Sequence, residues 1–96
     1  MNAASIEGKT EMQDTIAAVR RFLNENFLMD DALEVRDDTS FMEEHILDST
    51  GFIELITWIE EAFHVRVHDE EMLPENFDTL ANIARWLERK RMEAAA

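Results

Sequence analysis

The chain has 96 residues, 46% of them hydrophobic and 32% charged, which suits one small folded domain with one core. It contains no cysteine, which excludes disulfides and thiolate metal sites, and its formal net charge of −13 opposes binding to nucleic acid phosphates and anionic membranes. No apolar run approaches the roughly 20 residues of a membrane span, and the start MNAASIEGKT lacks the cationic and apolar order of a secretory signal, so a cytoplasmic protein is expected.

Residues 1–9 read as a flexible N-terminal segment ahead of a folded domain over 10–91 and a tail over 92–96. Met12, Ile16, Val19, Leu23 and Phe27 recur every three or four residues and predict a helix over about 11–28. Thr10 and Gln13 suit a capping box at its start. Residues 30–48, DDALEVRDDTSFMEEHILD, have no sustained period and predict a long loop with room for a short helical turn. Leu33, Val35, Phe41, Ile46 and Leu47 are its candidate core contacts. Loops of this length are uncommon in compact domains unless they serve function.

Residues 49–63 give the clearest helix. Phe52, Leu55, Ile56, Ile59, Ala62 and Phe63 share one apolar face, with Glu54, Thr57, Glu60 and Glu61 opposite. HVRVHD alternates like a short strand, but its brevity and the lack of partner strands favour an extended connector. DEEML suggests one short helix ended by Pro74. Asp78 is placed to cap a last helix over TLANIARWLERKR, whose Leu80, Ile83, Ala84 and Leu87 turn inward. Its basic residues would lie at the C-terminal end, where the helix dipole favours cations. The expected fold is all-α, with three main helices, one short helix and a long first connection.

The charge is unevenly spread. Between Glu25 and Asp78 stand 17 acidic and 2 basic residues, while Arg85, Arg89, Lys90 and Arg91 follow near the end. Such a field attracts basic protein surfaces, and it also suits solubility alone.

Ser49 lies where the acidic loop gives way to the second main helix. A hydroxyl at a helix start is exposed, beside unpaired N–H groups and the positive end of the dipole, so a phosphate there is favoured. Taken by itself the pattern far more often marks a cap, formed here by Asp48 or Ser49.

The stretch FMEEHILDSTGFIELITWIEEAFHVRVHDEEMLPENFDTLANIARWLE resembles the acyl carrier protein and peptidyl carrier protein family over about half the chain. The likeness rests on Asp48-Ser49, the apolar helix behind them, Glu54-Leu55, the Glu60-Glu61-x-Phe63 run and VHDEEMLPENFDTL. It implies a freestanding carrier with a four-helix bundle of acyl carrier type, not an enzyme. It implies 4′-phosphopantetheine joined to Ser49 through a phosphodiester. Asp48 would cap the helix and also serve the metal site of a phosphopantetheinyl transferase. Other partners would be acyl-activating or acyl-transferring enzymes with basic surfaces, met by a monomeric carrier. Ile53, Glu54, Glu60 and Glu61 are the candidate partner contacts, acids around one exposed apolar side chain. The family usually has Leu after the serine and often Gly at the position of His45; this chain has Thr50-Gly51 and His45.

Other chemistries fit less well. The only glycines, Gly8 and Gly51, would start an EF-hand loop at Ala3 or Ile46, which cannot ligate calcium. His64 and His68 have zinc-like spacing but fall outside a helical pattern. His45 beside Ser49 suggests a base and nucleophile, yet no glycine motif for an oxyanion accompanies them. Trp58 and Trp86 are expected at the core edge with their N–H groups near water. An unmodified acidic module that binds a basic partner through the second helix remains the alternative. Fatty acyl, hydroxyacyl, aminoacyl and polyketide cargoes would all use the same serine.

Overall fold

The computed structural model describes residues 11–27 and 35–95. Thr10 and Leu33 lie outside these residues. In chain order the elements are α1 (Glu11–Asn26), α2 (Ser49–Phe63), a 3₁₀ turn (Asp69–Glu71), α3 (Pro74–Phe77) and α4 (Leu80–Ala95). The described residues contain no strand. The architecture is the expected all-α one, with three long helices, one short one and a long α1–α2 connection.

The apolar spacing explains the packing. Val19 and Leu23 of α1, Leu55, Ile56 and Ile59 of α2, Phe77 of α3, and Leu80, Ile83, Trp86 and Leu87 of α4 meet in one core. The connection adds Val35, Phe41, Ile46 and Leu47. Burying each such large side chain stabilises the fold by about 1.5–3 kcal/mol, so residues 35–48 are ordered by what they bury, not by a helix. The Phe41 carbonyl accepts the N–H groups of Ile46 at 2.8 Å and Leu47 at 3.2 Å, closing a compact turn. The Arg20 guanidinium donates to the Val35 carbonyl at 3.1 Å and to Asp37 at 3.1 Å, tying residues 35–37 of the loop to α1.

Several expectations are corrected by contacts across the fold. DEEML does form a short helical element, the 3₁₀ turn Asp69–Glu71, but Pro74 opens α3 rather than closing that turn, because its missing N–H costs nothing in a first turn. Asp78 does not cap α4; Thr79 does, its hydroxyl accepting the Asn82 N–H at 3.0 Å. The helix runs on to Ala95, so Arg89, Lys90 and Arg91 are not in its last turn. Trp86 is fully inside, 2% exposed, and its N–H donates to Glu71 at 3.3 Å rather than to water. Ala62, placed on the apolar face by its spacing, is exposed.

Glu71 fastens the 3₁₀ turn to α4. One carboxylate oxygen accepts the His68 N–H at 3.0 Å, and the other accepts Lys90 Nζ at 3.0 Å beside Trp86. Burial alone would raise the Glu71 carboxyl, but the His68 N–H, the Lys90 ammonium and the Trp86 N–H outweigh it and hold the group below its ordinary value.

Candidate functional site

The N-terminus of α2 is built by Asp48. Its backbone is extended, at φ −100° and ψ −170°, and its Oδ1 accepts the Gly51 N–H at 2.8 Å. Its carbonyl accepts the Phe52 N–H at 2.8 Å, the first bond of the helix. Asp48, not Ser49, is therefore the cap. Ser49 is the first helical residue and is exposed, and its hydroxyl has no hydrogen-bond partner among the described residues.

Gly51, the third residue of α2, turns the opposite way and is buried. A Cβ there would stand 3.2 Å from Leu47 Cδ2 and 3.2 Å from Phe27 Cε1. The missing side chain lets the first turn of α2 rest directly on the loop and on the end of α1. The sequence alone does not show this tightness, which depends on where Leu47 and Phe27 lie. With Gly51 inward, Ser49 and Thr50 face solvent. Phe27, His45, Ile46, Asp48, Thr50, Gly51 and Glu54 line an open groove beside this turn.

His45 takes a left-handed backbone conformation, φ 59°. That geometry accounts for glycine being common at this position of the resembling family, since glycine adopts it without a Cβ clash. His45 is exposed and makes no hydrogen bond to Ser49, so the pair is not arranged as base and nucleophile. His64 is the left-handed cap of α2, its N–H bonded to the Glu60 carbonyl, and His68 starts the 3₁₀ turn. No helix joins them, and no group of three or more His, Asp or Glu among the described residues could hold a metal ion.

Along α2, Ile53 is 57% exposed, and Glu54, Thr57 and Glu61 are exposed with it. Glu60 is placed differently. It is half-buried, and its Oε2 accepts the Val67 N–H at 2.8 Å, so it holds the connector after α2 instead of standing with the outward acids. No helix of the described residues is long and apolar enough to cross a membrane.

The profile of a family described as "Phosphopantetheine attachment site" matches residues 16–87. An acyl carrier protein of Helicobacter hepaticus is 31% identical over 78 residues, covering 81% of this chain and 99% of the relative. An acyl carrier protein of Wolinella succinogenes is 31% identical over 58 residues, covering 60% of this chain and 74% of the relative.

Proposed function

The chain belongs to the phosphopantetheine attachment family, whose covalent group is 4′-phosphopantetheine, and we propose that it is a freestanding acyl carrier holding that group on Ser49. The observation that carries this reading is an exposed, unpartnered hydroxyl on the first residue of α2. The surroundings fit a phosphodiester. Asp48 uses its carboxylate on the Gly51 N–H, while the N–H groups of Ser49 and Thr50 bond to no described residue. These groups and the dipole of a 15-residue helix favour negative charge on Ser49.

Each neighbouring residue has a definable part. Ser49 Oγ would bond to the pantetheine-side phosphorus of coenzyme A as the diphosphate P–O bond breaks and adenosine 3′,5′-bisphosphate leaves, the serine proton passing to the transferase. Asp48 keeps the turn in place and offers its remaining carboxylate oxygen to the transferase's metal. Gly51 seats the turn on Leu47 and Phe27, which fixes where the arm begins. The bound group supplies a thiol for a thioester on a flexible arm, giving successive enzymes a high local concentration of cargo. Glu54 and Glu61 steer basic partner surfaces toward α2, and Ile53 adds apolar contact. The partners are a phosphopantetheinyl transferase and separate acyl-activating or acyl-transferring enzymes, meeting a monomeric carrier in the cytoplasm.

The test is modification by a broad-specificity transferase with coenzyme A. The phosphopantetheinyl mass should appear on the peptide containing Ser49, and Ser49→Ala should abolish it without changing the helical circular dichroism. A wild-type chain left unmodified by several transferases would support an acidic interaction module instead. Modification of Ser40 would overturn the site.

A further inference from the structure

The α1–α2 connection must deliver Asp48 and Ser49 to one place without regular structure over residues 35–48. Its fixed point is Asp78, at the junction of α3 and α4. The Ser40 hydroxyl donates to Asp78 Oδ2, and the Met42 N–H donates to Oδ1 at 3.0 Å. The Asp78 carbonyl accepts the Phe41 N–H at 2.9 Å. Ser40 Oγ in turn accepts the Glu43 N–H at 3.1 Å. Three consecutive residues of the connection are thus held by one distant residue. From there hydrogen bonds and one apolar contact lead on to the start of α2. The Phe41 carbonyl takes the Ile46 and Leu47 N–H groups, Leu47 packs on Gly51, and Asp48 caps Gly51.

We propose that Asp78, together with Ser40, is a positioning residue for the modification of Ser49. The inference rests on the carrier reading. Neither side chain touches Ser49; the pair acts by holding residues 41–48 in the one arrangement a transferase reads. Two facts separate this from general stability. The α4 cap is supplied by Thr79, and among the described residues the Asp78 carboxylate bonds only to the connection. The connection also has its own apolar contacts in Phe41, Ile46 and Leu47, so the fold survives loss of the clamp while the turn samples other arrangements. Apparent affinity then falls by the competent fraction, with turnover of the bound complex unchanged.

The experiment uses the full unmodified chain, a transferase and coenzyme A, at a temperature where circular dichroism shows every variant folded. Asp78→Ala should raise KM for the carrier about tenfold at unchanged kcat, the order expected for losing hydrogen bonds to a charged group. Asp78→Asn keeps an acceptor for Met42 and a donor for the Ser40 oxygen, and should restore most of the loss. Ser40→Ala should fall between them, and it decides the matter should Asp78→Ala not fold. Val67→Ala, in the connector after α2, should lower Tm without moving KM. Amide hydrogen exchange over residues 46–51 should quicken in Asp78→Ala and not in Val67→Ala, which tests the clamp with no transferase present. Wild-type KM or unchanged exchange in Asp78→Ala, or an equal rise in KM for Val67→Ala, overturns the inference. A wild-type chain that is never modified overturns the carrier reading, and the role in modification with it.

Discussion

Replacing Asp48 by alanine and by asparagine separates its two proposed roles. Asp48 Oδ1 accepts the Gly51 N–H at 2.8 Å, and alanine leaves that donor without a protein partner. Loss of an N-cap costs about 0.5–2 kcal/mol. Gly51 is buried against Leu47 and Phe27, so water reaches its N–H poorly and the upper half of that range, about 1–2 kcal/mol, applies. A change of 1 kcal/mol moves Tm by about 4–8 °C in a domain of this size. Asp48→Ala should therefore melt roughly 5–15 °C early. Asparagine keeps the acceptor oxygen and gives up only the charge near the helix dipole, about 0.3–1 kcal/mol. Thermal melts and transferase kinetics on the same preparations give the answer. Asp48→Asn should stay within a few degrees of wild type yet be modified slowly, because it lacks a carboxylate for the transferase's metal. An asparagine variant as unstable as the alanine one refutes the cap, and one modified at the wild-type rate refutes the metal contact.

The left-handed φ of 59° at His45 costs an L-residue about 1–2 kcal/mol, partly offset by the entropy of glycine, so His45→Gly should raise Tm by a few degrees. A lowered Tm would mean that the His45 side chain contributes more than its backbone loses. Glu71 is held below its ordinary value of 4.5, so its contribution is complete above that pH and is lost as the pH falls through its lower folded value. Glu71→Gln should flatten the acid limb of a Tm–pH profile and shift the emission of Trp86; an unchanged acid limb refutes the contribution. Glu54→Lys with Glu61→Lys should slow transferase association and weaken its salt dependence, while Ile53→Ala should quicken dissociation and leave that salt dependence alone. Each exposed pair is worth only about 0.2–1 kcal/mol, so the double reversal is the informative change, and wild-type association rates in it would move the docking face off α2.

The local rules were strong enough to locate α2, which runs over the expected 49–63 because the Asp48 cap and the apolar stripe point to the same start. The α1 stripe, the loop residues Val35, Phe41, Ile46 and Leu47, and the inward face of α4 were legible for the same reason. What was not legible is decided across space. Asp78 looks like a cap because aspartate before a helical run usually is one, but Thr79 takes that place and frees Asp78 for Ser40 and Met42. Glu60 has an outward helical position, and only the path of the chain after α2 brings the Val67 N–H to it. Trp86 reads as a core-edge residue until Glu71 is seen to satisfy its N–H inside. Pro74 can end one helix or start another, and only the path of the chain decides that it starts α3. The exposed position of Ser49 follows from the sequence, but the close seat of Gly51 on Leu47 and Phe27 depends on where α1 ends.

The most direct test is the intact mass of the protein purified from its own host, read before and after thioester cleavage and localised by peptide fragmentation. The carrier account predicts a phosphopantetheinyl increment on Ser49 in both readings and an acyl increment that disappears on cleavage. An unmodified Ser49 in protein from the host would contradict it.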